Sequence, residues 1–182
     1  MHASELRRLL EIARSFAPGH RIVIFGSSSL LPKYPHLGEP GQVLSPSLDA
    51  DFVIYGIADD LAVALIDAVG ARSTFSRVAG FHADILRPDI TELFPPGWEE
   101  RLEPMPGFDG VFFLEMADLA VAKLHAGRRK DVEVLVHLLK EGLLDAPVVR
   151  ARLDATPLRE KDIVKLYAVW ERVLLLAESR DR

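Results

Sequence analysis

The spacing of apolar residues changes character after Leu114, and that change limits what the chain can fold into. Before it, four short runs rich in β-branched and aromatic residues read as strands: Arg21–Phe25, Ala50–Tyr55, Gly80–Leu86 and Val111–Leu114. Two segments with helical spacing lie among them. Ser4–Phe16 puts Leu6, Leu9, Leu10, Ala13 and Phe16 on one face, and Asp60–Val69 does the same with Leu61, Ala64, Leu65 and Ala68. After Leu114 the apolar patterns are helical. Met116–Leu139 is one helical region with a break expected at Gly127 and a stop at Gly142. Asp145 with Pro147 starts a further helix, and Thr156-Pro157 caps the last one, which ends near Ser179. The expected fold is α/β, of the α+β kind. A mixed sheet flanked by helices occupies residues 1–114, and a helical region, residues 115–182, packs on that core.

Composition narrows the chemistry. Cysteine is absent, which excludes disulfides, zinc-thiolate sites and a cysteine nucleophile. A net charge of -5 argues against charge-driven binding along a nucleic-acid backbone. No apolar stretch approaches the ~18 residues of a membrane span, and the N-terminal residues lack the apolar core of a signal peptide. The expectation is a cytoplasmic protein with no membrane partner.

Polar residues at strand ends are the candidates for function. Gly26-Ser27-Ser28-Ser29 closes the first strand, where glycine lets the backbone approach closely and the following turn offers N–H groups to an anion. It is neither a P-loop nor a dinucleotide fingerprint, since no Gly-Lys-Ser/Thr follows and G-x-G-x-x-G is missing. Asp49-Ala50-Asp51 opens the next strand, and residues two apart on a strand share a face, so the two carboxylates converge. Asp84 lies within a third strand, with His82 on the same face. Taken singly, each has an ordinary alternative: a serine cap, an acidic turn, a solvated edge. Together they form an anion cradle beside carboxylates that can hold Mg²⁺ or Mn²⁺, which is what phosphoryl or nucleotidyl transfer requires. Pro32–Pro46 joins the cradle to the carboxylate strand. It is long for a plain connection and reads as a lid, with Tyr34 and His36 as its contact residues.

The succession Gly26-Ser27, Ser47-Leu48-Asp49-Ala50-Asp51-Phe52-Val53 and Asp84 resembles the active-site motifs of the DNA polymerase β-like nucleotidyltransferase superfamily. Asp118 to Asp131 is similar to the D-L-x-x-x-K-L-x-A-x-R-x-K-D helix of bacterial minimal nucleotidyltransferases near the AbiEii-type toxins of toxin–antitoxin systems. Pro96-Gly97-Trp98-Glu99-Glu100-Arg101-Leu102 resembles a recurring segment of the same group. The resemblance spans roughly Arg21 to Leu144 and implies the nucleotidyltransferase fold.

It also implies Asp49, Asp51 and Asp84 as catalytic and metal-holding residues, with Gly26, Ser27 and Ser28 gripping the phosphates of an NTP substrate. Lys123, Gly127 and Asp131 fall on one helical stripe. Lys123 is expected to reach the triphosphate, and Asp131 to orient a basic group or the substrate. Arg128, Arg129 and Lys130 read as a solvated face. The expected activity is metal-dependent transfer of a nucleotidyl group to an acceptor that is RNA, a protein hydroxyl or a small molecule, with a cognate partner protein in a toxin–antitoxin setting. The alternative is a non-catalytic binding or antitoxin-like regulatory member.

Overall fold

A computed structural model describes residues 1–158 and 160–179. The chain forms two compact units: Met1–Ile90 with Leu102–Leu114, and Thr91–Arg101 with the chain from Glu115 onward. Among the described residues no helix is long and apolar enough to cross a membrane.

The first unit is a five-stranded mixed sheet with helices. The strands are β1 (Ile22–Phe25), β2 (Asp49–Ile54), β3 (His82–Leu86), β4 (Glu103–Pro104) and β5 (Val111–Phe113), in the order β3-β2-β1-β5-β4. β1 is antiparallel to β2 and parallel to β5; β2 is parallel to β3, and β4 antiparallel to β5. All four residues of the central β1 are buried, as expected for an uninterrupted apolar run with neighbours on both sides. Helix α1 (Ala3–Phe16) buries Leu6, Leu9, Leu10 and Ala13, the face its spacing predicts. Its first turn is closed by the His2 N–H, which donates to the Glu5 carboxylate at 2.6 Å.

Helix α2 (Asp59–Val69) departs from its predicted face. Leu65 and Val69 are buried, whereas Leu61 and Ala64 are exposed. A segment reading Leu-Ala-Val-Ala-Leu-Ile is apolar nearly all round, so periodicity does not choose its buried side. A short helix, α3 (Thr74–Ala79), follows it, capped by the Ser73 hydroxyl, which accepts from the Ser76 N–H at 3.0 Å.

The long loop is anchored along its length. Leu37, Gly38 and Leu44 within it are buried, and the Met1 amine donates to the Leu44 carbonyl at 3.0 Å. A Cβ on Gly38 would lie 2.4 Å from the Met1 carbonyl oxygen. Its apolar residues anchor the segment to its own unit, which the Pro and Gly content conceals. The rings of Tyr34 and His36 meet edge to face.

The second unit holds α4 (Met116–Ala126), α5 (Arg129–Lys140), α6 (Ala146–Ala155) and α7 (Glu160–Glu178). Gly127 separates α4 from α5 in the left-handed conformation, φ 60°, with its N–H on the Lys123 carbonyl. Asp145 caps α6 by accepting the Val148 N–H at 3.1 Å. Thr156 closes α6 instead of starting α7: its hydroxyl donates back to the Arg152 carbonyl at 2.8 Å. Trp170, Val173 and Leu166 of α7 are buried, as are Leu119 and Leu124 of α4.

Asp118 explains why Thr91–Arg101 belongs with the helices. Its carboxylate is fully buried and takes two hydrogen bonds from Arg101, both 2.8 Å, while Arg152 Nε lies 3.5 Å away. Arg101 also donates to the Pro96 carbonyl at 3.1 Å, tying the excursion back on itself. Asp118→Ala is expected to destabilise the protein by about 2–3 kcal/mol in denaturant titration, because the guanidinium loses its bidentate partner. Limited proteolysis should then cleave first within residues 91–101.

Candidate active site

The site starts where β1 stops. Gly26 takes φ 62°, a conformation that favours glycine, and the chain then makes a 3₁₀ turn over Ser27–Leu30. A Cβ at Gly26 would sit 1.9 Å from Asp51 Oδ2. The glycine is therefore required twice, once for the dihedral and once because the backbone passes against a carboxylate of the neighbouring strand. Two serines brace the turn from within. Ser28 Oγ donates to the Phe25 carbonyl at 3.1 Å and Ser29 Oγ to the Gly26 carbonyl at 2.8 Å, both from buried side chains.

Strand register brings the carboxylates together. Phe25 pairs with Asp51 across β1 and β2, and Asp51 pairs with Asp84 across β2 and β3. Asp49 shares the Asp51 face of β2 by alternation. One carboxylate oxygen from each of Asp49, Asp51 and Asp84 lies within 4.8 Å of the others, and all three side chains are half-buried. Two side chains lie beside the cluster: Ser47, given no role by the sequence, and His82, expected on the face of Asp84. Ser47 Oγ donates to Asp49 Oδ1 at 2.8 Å, and His82 Nε2 is 3.8 Å from Asp84 Oδ1. The alternation that pairs Asp49 with Asp51 extends back to Ser47, so this contact was readable from the chain. Three carboxylates so close repel one another unless a cation lies among them. An all-oxygen, anionic donor set suits a hard divalent ion such as Mg²⁺, so the residues present fit the metal expected here.

Over residues 4–174 the chain matches the model of a family described as "nucleotidyltransferase of unknown function (DUF6036)". The chain belongs to this nucleotidyltransferase family. No curated protein and no solved structure matches it.

In this nucleotidyltransferase Lys123 and Asp131 come together in the helical unit. The single helical stripe expected of them does not form, because Gly127 breaks the helix and leaves Lys123 on α4 and Asp131 on α5, and the lysine is turned inward. Lys123 is 4% exposed and its Nζ lies 3.2 Å from Asp131 Oδ1. Arg128 donates to the same carboxylate, 2.6 Å from its Nε. Of the neighbours Leu119, Ala122 and Ala126 that made Lys123 stand out in the sequence, Leu119 is buried with it, as are Ala120 and Leu124 of the same helix. Arg128 is more than a solvated charge, since it shares Asp131, whereas Arg129 is exposed and near Glu133 one turn on.

Burial alone would raise the Asp131 carboxyl, but the hydrogen bonds and charges of Arg128 and Lys123 outweigh it and hold it below the usual carboxylate range. A group depressed in the folded state adds stability above its unfolded pKa of about 4, and loses it as pH falls through the folded value. Thermal melts from pH 6 down to pH 2 should show that loss, and Asp131→Asn should lower the neutral-pH melting temperature while flattening the acid limb.

The Gly26–Asp51 contact is tested by a double-mutant cycle. Gly26→Ala should destabilise the protein by about 2 kcal/mol or more, combining collision and backbone strain. Asp51→Ala should relieve the collision but leave the strain of about 1 kcal/mol, so Gly26→Ala will cost less in the Asp51→Ala background than in the wild type.

Proposed function

We propose that this nucleotidyltransferase moves a nucleotidyl group from an NTP to an acceptor hydroxyl in a metal-dependent reaction. One observation carries the reading: three aspartates on adjacent strands, brought within 4.8 Å of one another, border a glycine turn that touches one of them. Divalent ions, Mg²⁺ or Mn²⁺, held by Asp49, Asp51 and Asp84 would neutralise the triphosphate and polarise the reacting oxygens.

The chain's own groups have separable tasks. Gly26 and Ser27 present the turn to the outer phosphates, and Ser28 holds that turn on the Phe25 carbonyl. Ser47 fixes the Asp49 carboxylate. Asp84 is half exposed at the outermost strand and receives the proton of the attacking hydroxyl, with His82 Nε2 3.8 Å from it. Lys123 and Asp131 act as a buried ion pair that sets the α4–α5 corner, a role that replaces direct contact with the triphosphate. The NTP requirement points to the cytoplasm. The likeness of Asp118–Asp131 to nucleotidyltransferases near the AbiEii toxins supports a toxin–antitoxin setting with a cognate partner protein.

Mg²⁺ with an NTP should raise the melting temperature, by on the order of 2–3 kcal/mol of added stability at a hundredfold excess over Kd. Labelled NTP should yield pyrophosphate and a labelled acceptor. Asp51→Asn should abolish transfer while leaving the metal-free protein as stable or more so, because one of three repelling charges is gone. An unchanged melting curve with all four NTPs at millimolar concentration refutes the enzyme; a shift without transfer points to the non-catalytic binding member.

A further inference from the structure

β3 ends the sheet: its inner side pairs with β2, and among the described residues no strand pairs with its outer side. The His82 N–H donates inward to the Leu48 carbonyl at 2.9 Å. Alternation along the strand then turns the N–H and C=O of Ala83 and Ile85 outward. Along this edge runs a groove of about 510 Å³. One wall is Ala83–Leu86, and the other is the end of α2 with the turn Gly70–Ser73. Asp84 is part of the first wall, so the groove shares that residue with the carboxylate cluster.

We propose that this groove holds the acceptor, and that the acceptor is an extended polypeptide segment that adds as a strand to the edge of β3. The proposal rests on the nucleotidyl-transfer reading and names its acceptor class. The outward N–H and C=O groups of Ala83 and Ile85 are complemented by another extended backbone, which pairs with a free edge at strand spacing. Ile66, Ile85 and Leu86 offer apolar contacts for alternate side chains of such a strand. A polynucleotide lacks the matching ladder of donors and acceptors. It would also bring phosphates against Asp67 and Asp84, which outnumber Arg72 in the groove lining, in a unit where acidic residues outnumber basic ones.

In the added strand, the side chain beside Asp84 projects to the same face of the sheet as the carboxylate cluster. A Ser, Thr or Tyr there places its hydroxyl at Asp84. The hydroxyl oxygen bonds to the α-phosphorus of the NTP as the bond from that phosphorus to the β-phosphate oxygen breaks. Pyrophosphate leaves with the electron pair, and the hydroxyl proton passes to Asp84.

The test reads docking without chemistry. Amide exchange at Ala83 and Ile85 is followed by NMR, with and without a library of nine-residue peptides that are β-branched at alternate positions and carry a central Ser, Thr or Tyr. A single-stranded RNA 9-mer serves as the comparison. The peptides should slow exchange at both amides tenfold or more, and leave the β1 amides unchanged. Ala71→Trp fills the groove from its exposed far wall, away from the sheet, and should remove the protection. Ile85→Pro deletes one outward donor and with it one reporting amide, and should remove the protection at Ala83. Protection by RNA alone, no protection by any peptide, or full protection in Ala71→Trp overturns the proposal. Labelled NTP and Mg²⁺ are then added to the same samples. Peptide docking without transfer of label leaves the docking edge standing and refutes the transfer reading beneath it.

Discussion

The mutual repulsion of three carboxylates is the constraint around which the first unit is arranged. Such a cluster holds together only if the backbones that carry it are fixed by something else. Here that is the sheet. β1 is buried along its whole length, and Ala50, Phe52, Val53 and Ile54 of β2 are buried as well. Burial on this scale stabilises the register by several kcal/mol, enough to set Asp51 opposite Asp84 whatever their charges prefer. The site is thus a charged seam along apolar strands, and its geometry follows from pairing that the aspartates do not themselves drive.

The second unit treats its buried carboxylates in the opposite way. Asp118 meets Arg101 and Arg152, and Asp131 meets Lys123 and Arg128. Each acid is brought to cations, so its charge is compensated within the protein. Such pairs add less to net stability than their strength suggests, because desolvation offsets attraction, but they penalise every arrangement that separates them. They specify which helices meet and where the excursion Thr91–Arg101 lies. Carboxylates in one unit are gathered beside one another, and in the other they are used as connectors.

This contrast also explains what was legible in the sequence. The strand carboxylates could be read because a period of two is strict: Asp49 and Asp51 must share a face, and a flanking apolar run identifies the strand. Lys123 could not be assigned by the same means, because an inward-facing lysine and a ligand-facing lysine look alike on an apolar stretch; only the position of Asp131 across the α4–α5 corner separates them. α3 and β4 span a few residues and carry no periodicity of their own, and the grouping of Thr91–Arg101 with the helices depends on one distant arginine–aspartate contact. The anchoring of Pro32–Pro46 by Leu37 and Leu44 was hidden by the Pro and Gly residues around them.

The close approach of Gly26 to Asp51 makes two positions 25 residues apart in the chain report on each other. A relative with a side chain at the position of Gly26 has no room for this carboxylate in this rotamer, whatever residue its gene encodes at the second position. A single glycine codon therefore serves as a marker for sorting genomes. Its loss flags, from the coding sequence alone, chains in which the acidic cluster has been dismantled or rebuilt.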